Sequence, residues 1–155
     1  MGTAARREPR GRPLLLVTVD TSWVIAAERN PTAARCHIAA LSRVGQLLCV
    51  PPVVIVEARQ RCADVGAVDA VLARMRSEPL LPQDGLRASD LLRIAGRQAG
   101  GGRAASARIR EIGTTDALIA AMAERIGGIV FSADARHLSW LKQAGARIVV
   151  RPVSF

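Results

Sequence analysis

Four carboxylates stand where an α/β chain gathers its chemistry: Asp20, Glu57, Asp116 and Asp134. Asp20 closes an apolar run, and Glu57 is the lone acid of an apolar stretch that follows Pro51-Pro52. Asp116 opens a segment with no polar side chain from Ala117 to Ala123, and Asp134 follows Ile129-Val130-Phe131 by three residues. Acids brought together repel, and burying them is costly unless a cation sits among them. The set contains no His or Cys, so its ligands are all oxygen, which suits Mg²⁺ or Mn²⁺ better than zinc. A hard divalent ion held this way activates water and neutralises charge developing on a phosphate oxygen. Each acid alone has a plainer reading. Asp20 or Ser22 could cap a helix, Glu57 could be a surface glutamate, Asp116 suits the positive end of a helix dipole, and Asp134 could be a turn acid.

The elements that must position them follow from hydrophobic pattern. Residues 14–19 are a nearly continuous apolar run, which predicts a central parallel strand with Asp20 at its carboxyl end. Helices are expected over 23–28 and 33–43, and a second strand over 46–50. The β-branched run 53–56 suggests a strand by propensity. The two prolines before it and the Arg59-Gln60-Arg61 end fit a helix better, which places Glu57 on one. Further helices are expected over 65–76 and 87–99, with an edge strand or extended link between them at 79–82. Residues 100–102 are three glycines, and 103–110 reads as a mobile basic link. Thr114 or Thr115 can then cap the helix that carries Asp116. A Gly127-Gly128 turn leads into an inner strand at 129–131, a helix over 138–144 and a last strand over 147–150.

The totals agree with one α/β domain. The chain has 155 residues, half of them hydrophobic and only 3% aromatic, so the core must be built from Ala, Val, Leu and Ile. The formal charge of +9 points toward a polyanion, nucleic acid first, although a GC-rich coding bias would enrich Arg, Ala and Gly as well. Cys36, Cys49 and Cys62 lack CxxC spacing, which argues against a disulfide framework or zinc knuckle and predicts packed thiols. No stretch reaches the roughly 18 apolar residues of a membrane span. Residues 1–12 are expected to be a flexible basic arm, 13–152 the domain, and the protein cytoplasmic.

With these motifs in order, the chain resembles the PIN-domain ribonucleases, and among them the VapC-type toxins of toxin–antitoxin pairs. The likeness rests on Asp20-Thr21-Ser22, on Glu57 behind Pro51-Pro52, on Thr115-Asp116-Ala-Leu-Ile-Ala-Ala, and on Ser132-Ala133-Asp134. It implies a Rossmann-like three-layer α/β/α fold around a parallel sheet, and Mg²⁺- or Mn²⁺-dependent endonucleolytic cleavage of RNA. It also implies inhibition by a cognate antitoxin, and a homodimer. By matching, Asp20, Glu57, Asp116 and Asp134 take the acidic catalytic and metal positions, supported by the hydroxyls of Ser22, Thr115 and Ser132. Two departures stand out. Many relatives carry a further acid where this chain has Gly113-Thr114-Thr115, with Glu111 nearby, and the Gly/Arg-rich 97–110 segment is longer than usual. An inactive PIN-like module that binds RNA or protein is the alternative. A phosphatase of the haloacid dehalogenase type would need an acid at position 22, where this chain has Ser22.

Overall fold

The computed structural model describes residues 14–155, so the basic arm expected at 1–12 lies outside the described residues. Five strands form one all-parallel sheet in the order β3-β2-β1-β4-β5. β1 (Leu15–Val19) is central, flanked by β2 (Gln46–Val50) and β4 (Ile129–Ser132), with β3 (Arg76–Ser77) and β5 (Val149–Pro152) at the edges. Val17 and Val19 are fully buried because the central strand is covered on both faces, which is why it reads as a continuous apolar run. The expected parallel α/β/α architecture is therefore present.

Helices α1 (Thr21–Arg29), α2 (Pro31–Arg43), α3 (Pro52–Arg61) and α4 (Val65–Leu72) pack among themselves. The second set is α5 (Pro82–Gln98), α6 (Gly102–Ile126) and α7 (Arg136–Gln143). The chain builds β1-β2-β3 in one direction and then crosses to β4 and β5 on the other side of β1. This reversal opens a crevice at the carboxyl ends of β1 and β4, where open α/β sheets bind ligands. Pro51-Pro52 does open a helix, with Pro52 in its first turn and Val54 and Ala58 buried, against the strand propensity of 53–56.

Four expectations about these elements need correction. The helix expected over 65–76 stops at Leu72, and the edge strand is Arg76–Ser77 instead of 79–82. Glu78 still donates its N–H to the Val50 carbonyl at 3.1 Å, but β2 ends there: residue 52, which would return the next bond, is Pro52 at the start of α3 and has no N–H. The final strand is shifted to Val149–Pro152, because the Arg147 N–H is taken by the Glu124 carboxylate. Residues 103–110 are helical, forming the first half of α6. It packs closely on α5 at Gly96, where a Cβ would lie 2.9 Å from the Cδ1 end of the Ile109 side chain.

The break in α6 falls at Gly113, whose φ of 80° and ψ of 159° belong to a region that only glycine occupies readily. Neither Thr114 nor Thr115 makes a side-chain capping bond among the described residues, so the glycine alone starts the second half. That half is buried as expected: Ala117 and Ile119 through Ala123 are all at most 3% exposed. Of the cysteines, Cys49 is buried, Cys62 half-buried and Cys36 exposed, the last against expectation.

The Gly127-Gly128 turn is a close-approach site. A Cβ on Gly127 would stand 2.4 Å from the Leu16 carbonyl oxygen, which belongs to the central strand and cannot yield. Gly127→Ala is expected to destabilise the fold by roughly 1–3 kcal/mol, measured by urea denaturation. An unchanged midpoint would show that β1 and the turn are not held this closely.

Candidate active site

A cleft of about 350 Å³ opens at the carboxyl ends of β1 and β4, and all four acids named above line it. Asp20 leaves the end of β1 and caps α1, accepting the Trp23 N–H on Oδ1 at 2.8 Å. Glu57 comes from the second turn of α3, Asp116 from just beyond the Gly113 break, and Asp134 from the loop after β4.

Asp20 is the most enclosed of the four, with 4% of its surface exposed. Ser22 donates to its Oδ1 at 2.8 Å and Ser132 donates to its Oδ2 at 2.5 Å. The Ser22 hydroxyl also accepts the backbone N–H groups of Ala133 and Asp134, both at 2.9 Å. The two serines thus tie the ends of β1 and β4 together around one carboxylate. Burial nevertheless pushes the Asp20 carboxyl up to about 6, with the nearby Asp116 charge adding to the rise and the three hydrogen bonds opposing it. Burial also raises Asp116 above the ordinary carboxylate range, helped by the charges of Glu57 and Asp134. The mutual repulsion inferred from sequence is physically present in the folded chain.

Several partners of the acids were not singled out from sequence. His137 Nδ1 lies 2.8 Å from Asp116 Oδ2 and lowers its proton affinity, opposing burial. Thr21 donates to Glu57 Oε2 and Arg61 to Glu57 Oε1, each at 2.8 Å. The Glu57–Arg61 pair was legible as an i,i+4 helical spacing. The His137–Asp116 contact joins two helices, α7 and α6, and no local spacing announces it. Thr115 lines the cleft as a half-buried residue, and Glu111 reaches the rim, where Arg136 pairs with it at 3.3 Å. The serine at position 22, which removed the dehalogenase reading, spends its hydroxyl on this network.

Whether a divalent ion fits can be judged from the donors. They are carboxylate oxygens, two of them raised by burial and like charge, which a cation would relieve. Among the described residues, however, no three acidic, imidazole or thiol groups close around one point. Mg²⁺ dehydrates reluctantly and is commonly held by one or two carboxylates plus waters, so a shared cleft satisfies its needs without a closed cage.

The sequence matches the PIN domain family over residues 17–141. The chain belongs to that family. No curated protein matches it by sequence. Among solved structures, the PIN domain is similar to VapBC2 from Rickettsia felis bound to a DNA fragment from its promoter, with a TM-score of 0.68 and 14% identity. That match covers 90% of this chain and 100% of the other. DNA-bound VapBC from Salmonella typhimurium gives 0.63 at 15% identity, over 90% of this chain and 98% of that one. VapC20 of Mycobacterium tuberculosis, a sarcin–ricin loop cleaving toxin, gives 0.51 at 18% identity over 79% and 93%. At these identities the likeness speaks for the fold. Among the described residues, no helix of this PIN domain is long and apolar enough to cross a membrane.

Proposed function

We propose that this PIN domain is a metal-dependent endoribonuclease, the toxin of a toxin–antitoxin pair. The observation that carries the reading is the cleft itself: four acids from four different elements face one space at the switch point of a chain of net charge +9. Asp20, Glu57 and Asp116 would hold Mg²⁺ or Mn²⁺, with Asp134 completing the shell or binding a second ion. The ion, when bound, supplies Lewis-acid stabilisation of phosphate charge and a water of lowered pKa. The chain's own part is to keep Asp20 rigid through Ser22 and Ser132, to hold Glu57 with Thr21 and Arg61, and to exclude bulk water from the buried carboxylates. Arginines around the rim would position flanking phosphates. The solved VapBC complexes support expecting an antitoxin partner, which by the family resemblance would cover this face. A homodimer and a cytoplasmic location follow from the same family reading.

Incubating the purified protein with Mn²⁺ and a panel of structured RNAs is expected to yield discrete internal cuts that disappear in EDTA. Calorimetric titration should show Mn²⁺ binding in the absence of RNA. The second reading, a PIN module without catalysis, draws on the ties of Glu57 to Arg61 and Asp116 to His137, which leave no closed ligand set. Absence of both Mn²⁺ heat and RNA fragments would select it.

A further inference from the structure

The first half of α6 and the helix α7 meet over Trp140. The Arg108 guanidinium carbon lies 3.9 Å from the centroid of the indole, and that of Arg136 lies 5.5 Å away. His137 stacks on the same ring with centroids 5.5 Å apart and planes inclined by 26°. Arg136, His137 and Trp140 share a helix face by their spacing of three and four residues. Because His137 also touches Asp116, a continuous run of side chains leads from a cleft carboxylate, through imidazole and indole, to Arg108.

Two features make this run more than packing. Arg136 is occupied by Glu111, whereas Arg108 makes no ion pair or hydrogen bond among the described residues and rests on the indole alone. A guanidinium placed that way keeps its N–H groups for a phosphate and its plane for stacking. In addition, the chain has two tryptophans, and Trp23 is fully buried while Trp140 is half-exposed beside the cleft.

We propose that Arg108 and Trp140, flanked by Arg136, form a nucleotide subsite that takes a base of single-stranded RNA next to the phosphate at the carboxylates. The subsite rests on the nuclease reading above. Bases stack on indole and guanidinium planes without regard to sequence, and only unpaired bases are free to do so. The subsite therefore selects looped or single-stranded RNA over duplex. It also gives a task to the basic segment before Gly113, which folds as a helix and delivers Arg108 to the ring.

The test is a fluorescence titration of the wild-type protein with a short, mixed-sequence single-stranded RNA in EDTA, where nothing is cut. Trp23 is shielded, so quenching reports Trp140. RNA is expected to quench the emission, and Trp140→Leu is expected to raise Kd about tenfold, the typical effect of one lost base stack. Binding of an abasic strand of equal length should be the same in Trp140→Leu and wild type. Arg108→Met should weaken RNA binding by about fivefold and lower its salt dependence. If RNA is bound and cut while emission and both variants' affinities match wild type, the subsite is wrong and the nuclease reading stands. If RNA is neither bound nor cut, both fall.

Discussion

Asp20→Asn is expected to abolish RNA cleavage and, at neutral pH, to make the protein more stable. The loss of cleavage follows from the proposed role of Asp20 as ion ligand. Such an ion contributes several kcal/mol to the transition state, so removing its main support should slow cleavage by about three orders of magnitude. The gain in stability follows from burial. The Asp20 carboxyl stands at about 6 in the folded chain against an ordinary 3.8. The folded state therefore holds its proton more tightly than the unfolded state. Stability from this group is fully present below pH 3.8 and is lost as pH rises through about 6, a cost of roughly 3 kcal/mol at neutral pH. Asparagine keeps the N-cap to Trp23, since its amide oxygen accepts the same N–H, and it carries no charge to bury.

Calorimetric melts between pH 4 and 8 separate these effects. The Asn variant should melt several degrees higher than wild type near pH 7 and lose that advantage toward pH 4. Mn²⁺ should raise the wild-type melting temperature and leave the variant unmoved. Cleavage by the variant at the wild-type rate would remove Asp20 from the mechanism. Identical melting curves at pH 7 would instead mean that the carboxylate is better solvated than its 4% exposure implies.

Arg125→Met is expected to cost about 3–5 kcal/mol of stability, the usual result of leaving a buried charge without its partner. Arg125 lies on the last turn of α6 and donates to both oxygens of Asp84, at 3.0 and 3.2 Å from Nε, while Nη2 reaches the Pro79 carbonyl at 2.9 Å. A further contact at 3.3 Å reaches Glu78. Asp84 is 2% exposed and Glu78 8%. Asp84 also accepts the Leu81 N–H at 2.8 Å, closing the start of α5. One guanidinium thus clamps the β3–α5 connection onto α6. At roughly 2–4 °C per kcal/mol for a chain of this length, thermal denaturation should shift down by about 10 °C. Adding Asp84→Asn should recover part of the loss by removing the orphaned charge. A single variant within a degree of wild type would show that the pair is compensated by solvent.

Strand and helix identity along β1, β2, α3 and β4 was legible because each is declared locally, by a run, a Pro-Pro start or a Gly-Gly stop. The acids stood out for a related reason: each is a charge within or beside an apolar run, and although each alone has a plainer reading, the four together do not. Less local features were not. Residues 103–110 looked like a link because their helix is stabilised by what it lies on, Gly96 on one side and Trp140 on the other. The edge strand and the last strand were displaced because their registers are set by hydrogen bonds to other elements, Val50 in one case and Glu124 in the other.

The sequence by itself determined the layered parallel fold and nominated Asp20, Glu57, Asp116 and Asp134, since periodicity and an acid standing within or beside an apolar run are properties of neighbouring residues. Only the tertiary structure decided which groups answer them. Ser132 reaches Asp20 across 112 positions, Thr21 reaches Glu57 across 36, and His137 reaches Asp116 across 21. Contacts of that separation leave no periodic trace in the chain, because they exist only once β1 and β4 lie side by side and α7 has closed over α6.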